Sequence, residues 1–309
     1  MGKIEVERSN LIGAPVEKVY STVRDFQSWP QWSPWICAEP TCKLEFSDDG
    51  SQYSWEGEVV GSGTMKVIAE KENKYIDYEL TLLKPWKSVA KVRFIFRPEG
   101  DRTRTTWTMN SNLPLYLFWM KGMMTSAIGM DYQRGLAMLK DLLKHGKISS
   151  SLDFMGPTQF DGLSYVGIKT SCRIADIAEK MEADMLKLQK WVQDQHITPS
   201  GPPFSIYHRW SPTQGTTAYT IAFPVEKVPS WLPENFVSGK IPPCQVQRFR
   251  HTGSYRHLGN AWSTGMAHLR AKKWNRLRSV APFEIYENDP SQVAEDELVT
   301  TVHFPMKAS

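Results

Sequence analysis

Two five-residue runs, Pro203-Phe204-Ser205-Ile206-Tyr207 and Pro282-Phe283-Glu284-Ile285-Tyr286, differ only at their centre, where one has a hydroxyl and the other a carboxylate. Glu284 among tyrosines is the side chain with the clearest chemical use. Kept ionised in an aromatic pocket, it is a counter-charge for a cationic aromatic ligand, each ring adding roughly 0.5–2 kcal/mol of cation–π attraction. With its pKa raised by desolvation, it is a general base for water. An exposed strand glutamate near Arg or Lys would do neither and would be worth under about 1 kcal/mol. The asymmetry with Ser205 favours a groove, because a shared groove needs one charged centre and two facing carboxylates would repel.

Side chains alternate faces along a strand. Phe283 and Ile285, with Phe204 and Ile206, are expected to face the covering helices, leaving Glu284, Tyr286, Ser205 and Tyr207 on the opposite side. In the last strand Leu298, Thr300, Val302 and Phe304 share one side, and Val299, Thr301 and His303 the other. With Phe304 on the helix side, His303 is expected to join Glu284. Candidate groove residues are therefore Glu284, Tyr286, Tyr207, Tyr255, Trp262 and His303. In a hydrolytic version Glu284 is the base, and His303 or a tyrosine orients or protonates.

These strands belong to a duplication. One pass predicts a strand (163–170), a helix (174–193) and two strands (204–210, 217–223); the second predicts a strand (244–251), a helix (258–276) and two strands (283–286, 298–304). The first helix carries Ile174, Ala178, Met181, Met185, Leu188 and Val192 on one stripe. The central runs lie 79 residues apart (284 minus 205), and the terminal Phe-Pro pairs, Phe223-Pro224 and Phe304-Pro305, 81 apart (304 minus 223). Tandem βαββ units pair about a pseudo-two-fold axis and leave a groove. "HTGSYRHLGNAW" (251–262), "FEIYENDP" (283–290) and the terminal "VTTVHFP" resemble the GyrI-like domain, the effector-binding domain of AraC- and MerR-type regulators, over about residues 160–307. The resemblance implies a groove for hydrophobic, often cationic, small molecules, with Glu284 in the place of that family's groove glutamate. It also admits hydrolysis of electrophilic small molecules.

The first half reads differently. Strand-like residues 3–9 precede a helix opened by Ala14-Pro15, then Trp29-Pro30-Gln31-Trp32-Ser33-Pro34-Trp35, expected as a rigid, non-helical turn. Strand-like segments with hairpin punctuation run from Cys42 to Asn110, and a helix is expected over 130–144 with Tyr132, Leu136, Leu139 and Leu143 on one face. "APVEKVYSTVRDFQSWPQWSPW", "WEGEVVGSG", "TRTTWTMN" and "MDYQRGLAMLKDLL" resemble the polyketide cyclase-like branch of the SRPBCC/START superfamily over residues 3–146. That implies a curved antiparallel sheet gripping the last helix around an apolar cavity. Trp35, Trp55, Trp107 and Trp119 either line that cavity or fill it.

The expected fold is α+β: a helix-grip antiparallel sheet domain at 1–146, a Ser/Gly/Pro linker at 147–158, and a duplicated βαββ domain at 159–309. With 41% hydrophobic and 23% charged residues the chain is globular, and its net charge of +4 is too mild to argue for nucleic acid. No Asp or Glu occurs from Asn235 to Phe283, where Arg270, Lys272, Lys273, Arg276 and Arg278 cluster as a solvated face or as a dock for an acidic protein partner. No helix-turn-helix signature is found, so direct nucleic-acid binding is not expected. Phosphate-loop, HExxH and GxSxG patterns are missing from the sequence, as is zinc-ligand spacing among Cys37, Cys42, Cys172 and Cys244, and no cofactor is expected. The most apolar window, Leu113 to Met130, is too polar for a span, and a cytoplasmic, small-molecule-binding protein is expected, with a regulatory or detoxifying role.

Overall fold

The computed structural model describes residues 2–84, 86–113 and 115–308, and the chain divides into two compact units, one of the residues up to 149 together with 266–271, the other of 150–265 and those from 272 on. The first unit opens with β1 (Gly2–Ile12), α1 (Val16–Arg24) and the single-turn α2 (Trp29–Trp32). The Trp/Pro stretch is thus helical for one turn, because Pro30 sits in the first turn, where its missing N–H costs nothing. Six strands follow: β2 (Lys43–Phe46), β3 (Gln52–Glu56), β4 (Ser62–Lys71), β5 (Tyr75–Lys84), β6 (Ser88–Glu99) and β7 (Arg102–Leu113). They form an antiparallel sheet of order β1-β7-β6-β5-β4-β3-β2.

The long helix α3 (Lys121–His145) closes the unit and ends on left-handed Gly146. It begins nine residues before the expected start at 130, through a glycine-containing stretch whose Gly129 lies against Arg8 and whose Gly135 lies against Trp107. Glycine there lets helix and sheet approach. Between them, Trp107 stacks on Tyr132 at 3.9 Å and meets Phe94 at 4.7 Å, with Trp32 edge-on at 5.8 Å. Aromatic rings therefore fill the space in which a cavity was expected.

The second unit contains β8 (Ser150–Phe160), β9 (Leu163–Arg173), α4 (Ile177–Asp194), β10 (Phe204–Ser211), β11 (Thr216–Pro224), β12 (Phe236–Ile241), β13 (Cys244–Gly253), the first part of α5 (Gly259–Arg270), β14 (Phe283–Tyr286) and β15 (Val299–Met306). Its sheet has the order β12-β9-β11-β10-β14-β15-β13-β8. Read from either end the order is the same under exchange of the two repeats, with the pseudo-two-fold axis between β10 and β14.

Residues 147–158, expected as a linker, lie largely in β8, an edge strand paired with β13. Left-handed Gly156 and Pro157 sit at a register shift, where an edge strand tolerates a bulge and a missing N–H. β8 is the partner of β12 by symmetry. Phe160 pairs with Cys244 as Ile241 pairs with Leu163, each repeat thus lending its leading strand to the other.

α5 ends at Arg270 rather than at 276, with Lys272 left-handed after it. Beyond it Trp274 and Val280 are buried and Leu277 is half-buried, while Lys272, Lys273, Arg276 and Arg278 face solvent. Leu277, Val280 and Ala281 cover the sheet face that carries Phe204, Ile206 and Phe283. That face was expected to meet the helices. Instead α4 packs on the other one, with Leu188 and Val192 clustered against Ile168, Tyr219 and Ile221. Both faces are apolar and both are covered.

Candidate functional site

Register fixes which side chains can meet. Ser205 pairs directly with Glu284 across β10 and β14, so the single difference between the two runs stands at the pseudo-two-fold axis. Ser205 also pairs with Ile221, and Glu284 with Val302, which places all four on the helix-covered face. Glu284 is 1% exposed and Ser205 fully buried.

Three donors surround the carboxylate. Trp262 Nε1 on α5 donates to Oε2 at 2.5 Å, and the hydroxyls of Tyr207 and Tyr286 each donate to Oε1 at 2.8 Å. Tyr286 Oη also lies 2.9 Å from Ser205 Oγ, and Tyr207 Oη 3.7 Å from Met181 Sδ on α4. Each phenol carries one proton, so the network can rearrange. With Glu284 ionised both phenols point at it. With Glu284 protonated, its own O–H donates to a phenol, which turns toward Ser205 or Met181.

Burial pushes the Glu284 carboxyl above the usual carboxylate range, against the pull of Trp262, Tyr286 and Tyr207. Burial, then the Glu284 charge, pushes both Tyr207 and Tyr286 far above the ordinary phenol value. These tyrosines stay protonated as donors.

The rings form walls. Tyr207 meets Trp262 edge-on at 4.8 Å, and Trp210 at 6.3 Å; Tyr286 meets Tyr255 at 6.0 Å. Tyr255 is 40% exposed and Trp210 45%, so aromatic surface leads from solvent toward the buried carboxylate. Among the described residues this fully buried carboxyl group has neutral donors alone around it, set among half-buried rings.

His303 stands elsewhere. It pairs with Phe283, and its ring stacks on Phe283 at 4.7 Å on the far face of the sheet, with Nδ1 near the Thr301 carbonyl oxygen. Burial drops its pKa to about 4. The expectation that it would share a side with Glu284 failed because Glu284 and the helices share one face. Phe304 is on the helix side as expected, and Glu284 is there too.

In the first unit Trp107 is fully buried, Trp35 donates from Nε1 to Asp131 at 3.0 Å, Trp55 is half-buried beside Gly63, and Trp119 is 67% exposed. Trp35 and Trp55 pack against the core cluster that contains Trp107, while Trp119 faces solvent. Two side chains against Tyr207, Met181 and Trp210, were not among the expected site residues; Met181 could have been found as the counterpart of Trp262, eighty-one residues earlier (262 minus 181). Among the described residues no three His, Cys, Asp or Glu side chains are placed to hold a metal, and no helix is long and apolar enough to cross a membrane.

Residues 3–144 match the family described as polyketide cyclase / dehydrase and lipid transport, and residues 158–307 match the GyrI-like small molecule binding domain. Comparison with curated proteins gives no match. Similar solved structures include a START superfamily protein from Mycobacterium smegmatis (21% identity, covering 46% of this chain and 99% of that one, TM-score 0.34). The Aha1 dimer from Colwellia psychrerythraea is another (18%, 47% and 98%, TM-score 0.36). A third is EcmrR in a DNA complex (14%, 63% and 73%, TM-score 0.45). Residues 3–144 thus carry the polyketide cyclase-type match and residues 158–307 the GyrI-like one, and the two together support a ligand-binding protein.

Proposed function

We propose that the GyrI-like half binds an aromatic or lipophilic cation in the groove between α4 and α5, with Glu284 as its counter-charge and Tyr207, Tyr286, Trp262 and Tyr255 as walls. The supporting observation is the buried Glu284 carboxylate, which has three neutral donors and no cation within hydrogen-bonding distance among the described residues. A bound cation would take the place that an Arg or Lys holds in a buried ion pair. At about 4 Å and an effective dielectric of 20 the attraction is about 4 kcal/mol, of which desolvation takes a share. Tetraphenylphosphonium measured by titration calorimetry should therefore bind the wild type tenfold or more tighter than Glu284→Gln. Equal affinity would remove the counter-charge role. Gln fits the site, since its oxygen can accept from Trp262 while its amide donates to the two phenol oxygens.

A hydrolytic reading is favoured by one further feature, the raised pKa of Glu284 beside two phenols. Glu284 would take a proton from water attacking an electrophilic carbon, and a phenol would protonate the leaving oxygen. Styrene oxide incubated in ¹⁸O-labelled water should give labelled diol with the wild type and none with Glu284→Gln. No label with the wild type rules out this substrate. For the first half the proposed ligand is a hydrophobic molecule that displaces rings between sheet and α3, touching Trp35 and Trp55.

A further inference from the structure

The two repeats treat their outer polar residues differently. In repeat one Asp184 on α4 accepts from Thr170 Oγ1 at 2.6 Å and from Tyr219 Oη at 2.7 Å, and Thr170 and Tyr219 are register partners. That set is closed upon itself. Eighty-one residues on stand His251 (251 minus 170), Thr300 (300 minus 219) and Gly265 (265 minus 184). The equivalence is structural for the strand pair, since His251 and Thr300 are register partners too. For the helices it follows the apolar stripe, where Met181, Met185 and Leu188 correspond to Trp262, Met266 and Leu269.

Where repeat one has its acceptor, repeat two has a glycine whose place a side chain could not take, because a Cβ there would meet the Phe304 ring. His251 is 1% exposed and Thr300 fully buried, yet both ring nitrogens of His251 and Thr300 Oγ1 make no hydrogen bond among the described residues. Leaving such groups unpaired in a dry interior is unfavourable. On the register pair where the first repeat closes its own set, the second leaves a polar place awaiting a partner.

That place is continuous with the Glu284 groove. Tyr286 pairs in register with Thr300 and packs on Tyr255. Tyr255 is 40% exposed, so the aromatic pair next to Thr300 reaches solvent. Burial, then the neighbouring His257, drops the His251 pKa to about 4, which leaves a neutral ring with one donor and one acceptor at neutral pH.

We propose that His251 and Thr300 form a neutral polar subsite at the repeat-two end of the groove, which hydrogen-bonds an uncharged carboxamide or hydroxyl group of the ligand. It extends the small-molecule reading of the same groove, while needing no charge on Glu284. Benzamide is the probe, followed by the ¹⁵N resonances of the His251 imidazole. Saturable shifts are expected in the wild type. Thr300→Val, isosteric and losing only an unpaired hydroxyl, should weaken benzamide about tenfold, and toluene should leave the imidazole unmoved. No benzamide shift in the wild type, or unchanged affinity in Thr300→Val, would overturn the subsite. A benzamide response without tetraphenylphosphonium binding would keep the subsite and refute the counter-charge role instead.

Discussion

Restoring the broken symmetry at Ser205 tests the burial and pairing of Glu284 together. Ser205 is fully buried and directly opposite Glu284, so Ser205→Glu sets two carboxylates across one strand pair. Paired Cα atoms stand about 5 Å apart. At that separation and an effective dielectric of 20, two unit charges repel by about 3 kcal/mol. The pair can escape by holding one proton, so one carboxyl titrates far above the normal range. The native state then binds more protons than the unfolded chain between the unfolded value near 4.5 and the raised one, and stability falls as pH rises through that window. Ser205→Gln is the control, with matching volume and no charge. Urea denaturation should find Ser205→Glu about 3 kcal/mol less stable than Ser205→Gln at pH 8, a gap that closes largely by pH 5 as the shared proton is taken up. The swap Ser205→Glu/Glu284→Ser keeps one carboxylate and should recover most of the loss. It falls short by the Trp262 bond, about 1.5–3 kcal/mol for a charged acceptor, because Met181 stands opposite in place of an indole. Equal stability of Ser205→Glu and Ser205→Gln at pH 8 would refute the shared, water-excluded site.

Three other outcomes are expected. Trp262→Phe removes the donor to Glu284 Oε2, should cost about 1.5–3 kcal/mol in urea, and should push the Glu284 pKa higher still. His251 and His303 both have pKa values dropped to about 4, so the native state binds fewer protons than the unfolded chain below about pH 6.5. Stability is full above that pH and is lost as pH falls toward 4; His303→Phe, which keeps the stack on Phe283, should flatten the slope of urea midpoint against pH. Trp107→Ala empties the centre of the first unit and should cost about 3–5 kcal/mol, read by the same denaturation.

Much of the fold was legible in repeats and spacing. The offset of about eighty residues located both copies, and the one-letter difference within them landed on the symmetry axis. Period-two alternation placed Glu284 with Tyr207 and Tyr286 on one face, but it could not say which face the helices cover. Both faces of this sheet are apolar, and the run containing Leu277 and Val280 buries the one that Phe283 marks, so His303 was sent to the wrong side. β8 was hidden by Gly156-Pro157, which reads as punctuation yet serves as an edge-strand bulge. Its place was recoverable from the offset between Phe160 and Ile241. Nothing in composition distinguishes tryptophans that line a cavity from those that fill one; that depends on packing such as the Trp107–Tyr132 stack.

Whether a cation sits beside Glu284 can be seen in a crystal structure of the wild type grown with tetraphenylphosphonium. The phosphonium should lie between α4 and α5, with its phenyl rings against Tyr207, Tyr286 and Trp262 and its charge within about 6 Å of the Glu284 carboxylate. Density for the cation elsewhere, with the Glu284 network of Trp262, Tyr207 and Tyr286 unchanged, would contradict it.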